Sequence, residues 1–468
     1  MNRWIDRIPV FAVCLLFFWG IPEVQTSAAS EIEALTGAHT RVVWLQDHGD
    51  GTDSLCRGNQ LMVMGLDSRD EKGERPLLSA VAGYRKPLMT PDGKRVVFSL
   101  QRPEMIFVVN WDGGLPTALT KGMAVAVWAE PKTGMTWVYA VRKPDPQDED
   151  RFSEIVRFPI DRPEVEELVW NKTAVNKDNF QLSRDGNTAC STLPWPSIGR
   201  MVLPNRSSQV YAKGCWPSMA PDDSRLAWVF DGSHRNLTMF PADGGGPWRV
   251  AIDRAKGIDG FEVYHPRWTN HPGYLVITGP YKIGAGANAI RGGGAGVEVY
   301  LGKFSADMTA VTDWVQVTHN RKADFFPDAW IAGGERASLR LEIGPGKGLR
   351  AGKTSLPRSI TMEGALLEMS DIPDPSAILP YRNAFAVYRY RVISADGSDA
   401  AGLEVGKEIL VAHWVIRDGK KLSGYPRTLG RTYRMTIEDM AMHPEWESER
   451  LIRDMDAWDL PLYVDVSG

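Results

Sequence analysis

The sequence runs to 468 residues, 43% hydrophobic and 24% charged, with a formal net charge of -4. That is enough chain to bury the cores of two or three domains, or of one large repeat domain and a smaller companion. The charge balance lacks the basic stripe or basic domain of a nucleic-acid binder, and no Lys/Arg run supplies one.

The first thirty residues, MNRWIDRIPVFAVCLLFFWGIPEVQTSAAS, place Arg3 and Arg7 before an apolar run from Ile8 to Trp19 and finish in small residues from Ser27 to Ala29. This is the pattern of a Sec-type signal peptide cleaved near Ala28 or Ala29, so residues 1–29 are expected as a leader and the mature chain as exported, periplasmic or extracellular. The run is about twelve residues, against the roughly twenty of a spanning helix. A retained N-terminal anchor is the alternative. Val13 stands before Cys14 where a lipoprotein signal has a small residue, and no later apolar stretch reaches spanning length, so no integral membrane span is expected. Cys56, Cys190 and Cys215 are left after cleavage, too few for a disulfide scaffold. Export would permit a Cys190–Cys215 bridge, with two buried thiols as the other outcome.

Beyond the leader the chain repeats itself. TRVVWLQ (40–46) is written again inside DGKRVVFSLQ (92–101), and KPLMTPDGKRVVFSL (86–100), VAVWAEPKTGMTWVYA (125–140), NFQLSRDGNTACSTL (179–193), WPSMAPDDSRLAWVF (216–230) and HPRWTNHPGYLVIT (265–278) align. Each is a short strand, a turn carrying Pro, Asp or Gly, and an apolar second strand. At Asp92-Gly93 and Asp185-Gly186 the glycine supplies the positive φ that tight hairpins need. The second strands recur every 38 to 54 residues or so, the spacing of propeller blades with loops of variable length. TRVVWLQ is a second strand lacking a first, and DFFPDAWIAGG (324–334) a first strand lacking a second. Pairing them completes a sixth blade and closes the ring, which removes exposed sheet edges.

Residues 335–374, rich in Gly, Pro and Ser, read as a linker. In 375–468 the alternating YRNAFAVYRYRVIS (381–394), GKEILVAHWVIRDG (406–419) and LGRTYRMTIEDM (429–440) are strands, PEWESERLIRDMD (444–456) reads as a short helix, and LPLYVDV (460–466) as a last strand. The expectation is an all-β protein: a six-bladed propeller over 30–334 and a small β-barrel-like domain over 375–468.

The SPDG-like turns followed by an apolar strand resemble the TolB-type, WD40-like (PD40-type) propeller repeats of bacterial envelope proteins, over roughly residues 40–334. Pro131-Lys132 and His271-Pro272-Gly273 depart from the turn pattern. The C-terminal strand order resembles small OB-like barrels of the netrin and tissue-inhibitor type, without the disulfides of secreted members. The resemblance implies an envelope location and a binding role, and fixes no ligand.

Propellers usually bind at a channel mouth, where the first residues of the inner strands converge. The aligned positions are Lys86, Val125, Asn179, Trp216, His265 and Phe326, with Asp324 nearby. Trp stacks on apolar faces while Lys, Asn and Asp hydrogen-bond polar edges, so Lys86, Asn179, Trp216, His265, Asp324 and Phe326 are the candidate ligand-binding set for a sugar or peptide. Some propeller enzymes, oligogalacturonate lyases among them, hold a divalent metal with histidines, which makes His265 and His271 the candidate ligands of an alternative metal-dependent polysaccharide lyase. Zinc-type clusters use tighter paired spacings than this. KIGAGANAIRGGGAG (282–296) fits a dinucleotide pattern formally but leads into the strand GVEVYLGKF, so a flexible loop is expected there. DPQDEDR (145–151) is expected as a solvated acidic loop. No GxSxG elbow, P-loop or HExxH occurs. The sequence thus favours a binding or scaffold protein of the envelope, with no cofactor, acting on a protein partner or a glycan.

Overall fold

The structure, a computed structural model, describes residues 27–242, 245–282, 293–339, 359–396, 403–455, 457 and 460–467. Six antiparallel blades arrange around a channel. Blade 1 is the composite: Ala323–Ile331 lies innermost, followed by Thr40–Asp47, Leu61–Asp67 and Arg75–Pro76. Its closing pairing runs from Thr40 opposite Ile331 to Asp47 opposite Ala323. Blades 2 to 6 begin with the inner strands Tyr84–Met89, Met123–Ala129, Phe180–Leu182, Cys215–Met219 and Glu262–Trp268, and each continues outward through three further strands. Blade 3 adds a short fifth strand, Val175–Asn176. The second strands sit between neighbouring blades and are buried on both faces, hence their near-continuous apolar sequences such as Ala227–Phe230 and Tyr274–Tyr281.

The inner strands share a local device. Lys86, Trp216, His265 and Phe326 all have positive φ, at 34°, 41°, 55° and 48°, each stands before a proline, and each marks a register shift against the second strand. An extra residue at the bulge bends the strand. Proline suits the following position because it has no N–H to leave unpaired. Blade 3 makes the same shift at Val125 with no proline.

A second device locks blade to blade. Trp330 ends the inner strand of blade 1 and donates from Nε1 to the Pro91 carbonyl in the first turn of blade 2, at 2.8 Å. Trp128 ends the inner strand of blade 3 and donates to the Arg184 carbonyl in the first turn of blade 4, at 2.9 Å. Both indoles lie flat against the turn glycine, Gly93 or Gly186, where a Cβ would collide with the ring.

The C-terminal sheet closes on itself as a five-stranded barrel in the order Glu408–Arg417, Leu462–Asp465, Thr432–Asp439, Ile360–Met369, Ala384–Asp396 and back to the first. Two sequence expectations change here. Residues 360–369, read as part of the 335–374 linker, form a barrel strand paired on both sides, to Ala384–Asp396 and to Thr432–Asp439. The expected helix at 444–456 is replaced by the turn Pro444–Trp446 and the strand Arg450–Ile452, whose three residues are all buried and pair in parallel with Ala384 to Ala386. The acidic segment 145–151 is likewise the tip of a long hairpin, from which Asp150 reaches Arg57 at 2.8 Å and Lys177 at 2.7 Å.

The barrel docks on blades 5 and 6 through a buried polar network. Arg450 Nη2 donates to Glu262 Oε1 at 2.7 Å, Tyr264 donates to Glu262 Oε2 at 2.8 Å, and His234 Nε2 lies 3.0 Å from the Tyr381 hydroxyl, which is also 3.0 Å from Cys215 Sγ. Burial pushes the Glu262 carboxyl upward, but Arg450 and His234 outweigh it and hold the group well below the usual carboxylate range. Backbone bonds tie the same seam, from Gly232 N to the Glu447 carbonyl and from Leu451 N to the Gly232 carbonyl. Cys56, Cys190 and Cys215 are free thiols, so Cys190 and Cys215 are not bridged. An N-terminal helix, Ala28–Thr36, capped by the Ser27 side chain, rests on blade 6, where Tyr274 donates to the Leu35 carbonyl at 3.2 Å.

Candidate functional site

Five of the six aligned positions converge. Lys86, Asn179, Trp216, His265 and Phe326 line one cavity at the channel waist, together with Arg267 and the prolines that follow the bulges. Its volume is about 20 Å³, room for about one water molecule. Lys86 is buried and donates from Nζ to the Asp178 carbonyl at 2.6 Å. Burial, and then the Arg267 guanidinium, lower its pKa to about 7 against the opposing pull of Asp178 and Asp328.

His265 is packed against Phe326 at 4.1 Å and edge-on to Trp216 at 5.4 Å. Its Nε2 faces the Ser54 carbonyl at 3.1 Å, which can only accept, so Nε2 carries the proton, and Nδ1 is 2.9 Å from the Thr278 hydroxyl. Burial lowers its pKa to about 3. His271 lies away from it, in the hairpin turn, with Nδ1 accepting from Gly273 N at 3.0 Å. The two histidines are not brought together, and among the described residues no three His, Cys, Asp or Glu side chains are grouped as metal ligands.

Asp324 stands apart from the ring. Its carboxylate accepts from Trp44 Nε1 at 2.8 Å, Gln46 Nε2 at 3.1 Å and Asn320 Nδ2 at 2.7 Å. Asn320 also bonds Glu74 and, through its backbone, Glu298, so three carboxyls share one corner. Burial first, and then their neighbours' charge, hold the carboxyls of Glu298 and Asp324 above the usual range.

The end of the channel nearest the ring is stoppered by the connection between Asp47 and Leu61. Ser54 and Cys56 are buried, the Ser54 carbonyl meets His265, and the Leu55 carbonyl takes a bond from Arg85 Nη1 at 2.8 Å. That stopper was not legible, because 48–60 is polar and glycine-bearing and reads as an ordinary surface loop. The glycine-rich loop at 283–292 lies outside the described residues.

The opposite end, where the inner strands finish, is open among the described residues. A cavity of about 140 Å³ lies there, walled by Trp128, Trp330, Leu88, Met89 and Leu182, with the buried Trp268 behind them, and reaching Arg267 and Asp328 at its floor. Arg267 lines this cavity and the waist cavity alike. Asp328 fixes it, accepting from Arg267 Nε at 2.9 Å through one oxygen and from Met89 N at 2.8 Å through the other. Trp128 and Trp268 occupy one aligned position near the end of the inner strand, in VAVWA and HPRWT, and Trp330 in PDAWI stands one residue further along. The repeat alignment carried that signal, at the far end of the strand from the ring of first residues.

No protein family model matches the chain, and no curated protein matches it. Among solved structures it is similar to TolB from Acinetobacter baumannii, at 14% identity over 64% of this chain and 69% of that one with a TM-score of 0.42. It is also similar to apo AztD from Citrobacter koseri, at 10% identity over 62% and 98% with a TM-score of 0.35, and to an oligogalacturonate lyase in complex with manganese, at 14% over 50% and 64% with a TM-score of 0.32. These are likenesses of fold.

Proposed function

We propose that the chain is an exported, non-catalytic binding protein of the cell envelope that takes a segment of a protein partner into the open mouth of its propeller. The observation that carries this reading is the cavity walled by the half-buried Trp128 and Trp330 with Leu88, Met89 and Leu182. Its uncharged polar side chains are already spent inside the protein. Asn270 donates to and accepts from Ile331, Gln181 bonds the Trp268 carbonyl and Ser218, and Thr90, Ser183 and Thr269 bond their own turns. A glycan buried here would leave hydroxyls unpaired, whereas an apolar peptide side chain needs only the indole and aliphatic walls. Among the described residues the barrel leaves this face free: its contacts at Gly232 and His234, in a connection, and at Glu262, the start of an inner strand, fall on the stoppered side.

Selection from a displayed peptide library, run beside a glycan array, tests this. Peptides recovered by the wild type should be lost in Ala129→Trp, which fills the mouth from a half-exposed wall position. Glycan binding that Ala129→Trp abolishes, with no peptide selected, would reverse the ligand class. For location, no helix among the described residues is long and apolar enough to cross a membrane. Intact mass of the chain from an envelope fraction should show a start just after Ala28 or Ala29, which removes the Ser27 cap from the first helix.

A further inference from the structure

Resting on that reading, we propose that Arg267 anchors a carboxylate at the floor of the open mouth, and that the ligand is a carboxylate carried on an apolar body, as at the C-terminal residue of a peptide.

Arg267 is the group at this site with unused binding capacity. Its Nε is given to Asp328, and Nη1 and Nη2 have no hydrogen-bond partner among the described residues, nor are they sealed from solvent. Arg184, the other guanidinium of the mouth, is committed to Ala337 and Ser338. Engagement of Arg267 through Nε leaves the Nη1/Nη2 fork facing away from Asp328, and that fork matches the two oxygens of a carboxylate. Asp328 itself has both oxygens in use, so it holds the guanidinium without competing for the fork. The geometry is therefore set before a ligand arrives, which spares the ordering entropy a free arginine would lose.

Size and lining select the rest of the ligand. A cavity of about 140 Å³ is close to one of about 150 Å³ that takes a benzene ring. Thr90, Ser183, Thr269, Asn270 and Gln181 are spent in internal bonds, so a sugar acid would gain one good contact and forfeit several hydroxyl partners. An aromatic or aliphatic body loses nothing there.

The charges around the waist favour an anion further. Lys86 faces Arg267, with Asp178 and Asp328 opposing and His265 neutral beside it. Glu335 on the rim is exposed, and its repulsion is screened. A carboxylate on Arg267 adds negative charge near Lys86, so binding near neutral pH draws a proton onto that amine.

The test uses the full chain with benzoate, benzamide and galacturonate as probes, followed by calorimetry and tryptophan fluorescence. Benzoate should bind saturably and at least about tenfold more tightly than benzamide or galacturonate. It should also take up a proton at about pH 7.5, seen as a heat that depends on the buffer's ionisation enthalpy. Arg267→Gln should erase the preference for benzoate over benzamide; should that variant not fold, the probe series and the proton uptake on the wild type decide alone. Equal binding of benzoate and benzamide overturns the carboxylate while leaving the mouth a binding site. Galacturonate binding as tightly as benzoate overturns the apolar body. Absence of saturable benzoate binding overturns the proposal even if displayed peptides still bind.

Discussion

Trp330 lies across Gly93 so closely that a Cβ on the glycine would stand 2.5 Å from the indole, and the same indole donates to the Pro91 carbonyl at 2.8 Å. Gly93 has φ of 70°, a conformation that side chains oppose, so two independent effects forbid a methyl group there. Gly93→Ala should destabilise the protein by about 2–4 kcal/mol in urea unfolding, summing left-handed strain and overpacking. Gly186→Ala beneath Trp128 should lose a similar amount, while Gly134→Ala, a turn glycine with φ of 72° and open space around its Cβ position, should lose only the strain.

The Arg450–Glu262 pair joins barrel to propeller and is buried from solvent. Removing Arg450 leaves the buried Glu262 carboxylate with only the more distant Arg235, at 3.8 Å, as a cationic partner, so Arg450→Met should destabilise by about 3–5 kcal/mol. Arg450→Met with Glu262→Gln should recover part of that loss, as a double-mutant cycle by chemical denaturation would show. Because the Glu262 carboxyl is depressed when folded, its contribution is complete above about pH 5 and is lost as pH falls through the acid range.

Glu298 and Asp324 carry the opposite sign. A carboxyl whose pKa is higher folded than unfolded supports folding fully below its unfolded value near 4, and that support fades as pH rises through the folded value. Glu298→Gln should therefore match the wild type at about pH 5 and exceed it by about 1–3 kcal/mol at about pH 9. Thermal midpoints across that interval check it, and parallel curves for the two proteins would contradict the raised carboxyls.

Lys86 should act in reverse of a carboxyl. With a folded pKa of about 7 against about 10.4 unfolded, its burial weighs against folding below pH 7 and ceases to matter above about pH 10. Wild-type stability should thus gain from this group as pH rises across that window. Lys86→Met should lack the gain, read as the difference between denaturation midpoints at pH 7 and pH 10.

Most of the ring was legible because its signals are local: Asp-Gly turns, apolar second strands, and two half-blades that need each other. Ile360–Met369 was not, for a physical reason. Met362, Gly364 and Leu366 do alternate as its buried face, but one of the three is a glycine, the pairing with Ala384–Asp396 slips twice, and the segment follows a long Gly- and Pro-bearing stretch, so ITMEGALLEM reads as part of the linker. At the site, alignment found the residues that converge but not which end of the channel is open. That depends on Ser54 reaching His265, 211 positions away, which no local pattern announces.

The composite first blade also sets a timetable. Trp44 meets Asp324 across 280 positions of chain, so the earliest strand of the ring waits for nearly the latest before its edge is covered. Until residue 331 is available the growing chain is an open arc with two unsatisfied borders, and each finished blade adds material without closing either. Ring closure is therefore an all-or-nothing late event of high contact order, slow in proportion to the loop it must close. A ring built this way is exposed to mispairing until its last strand is made and protected from it abruptly, in the single step that brings the beginning of the ring to its end.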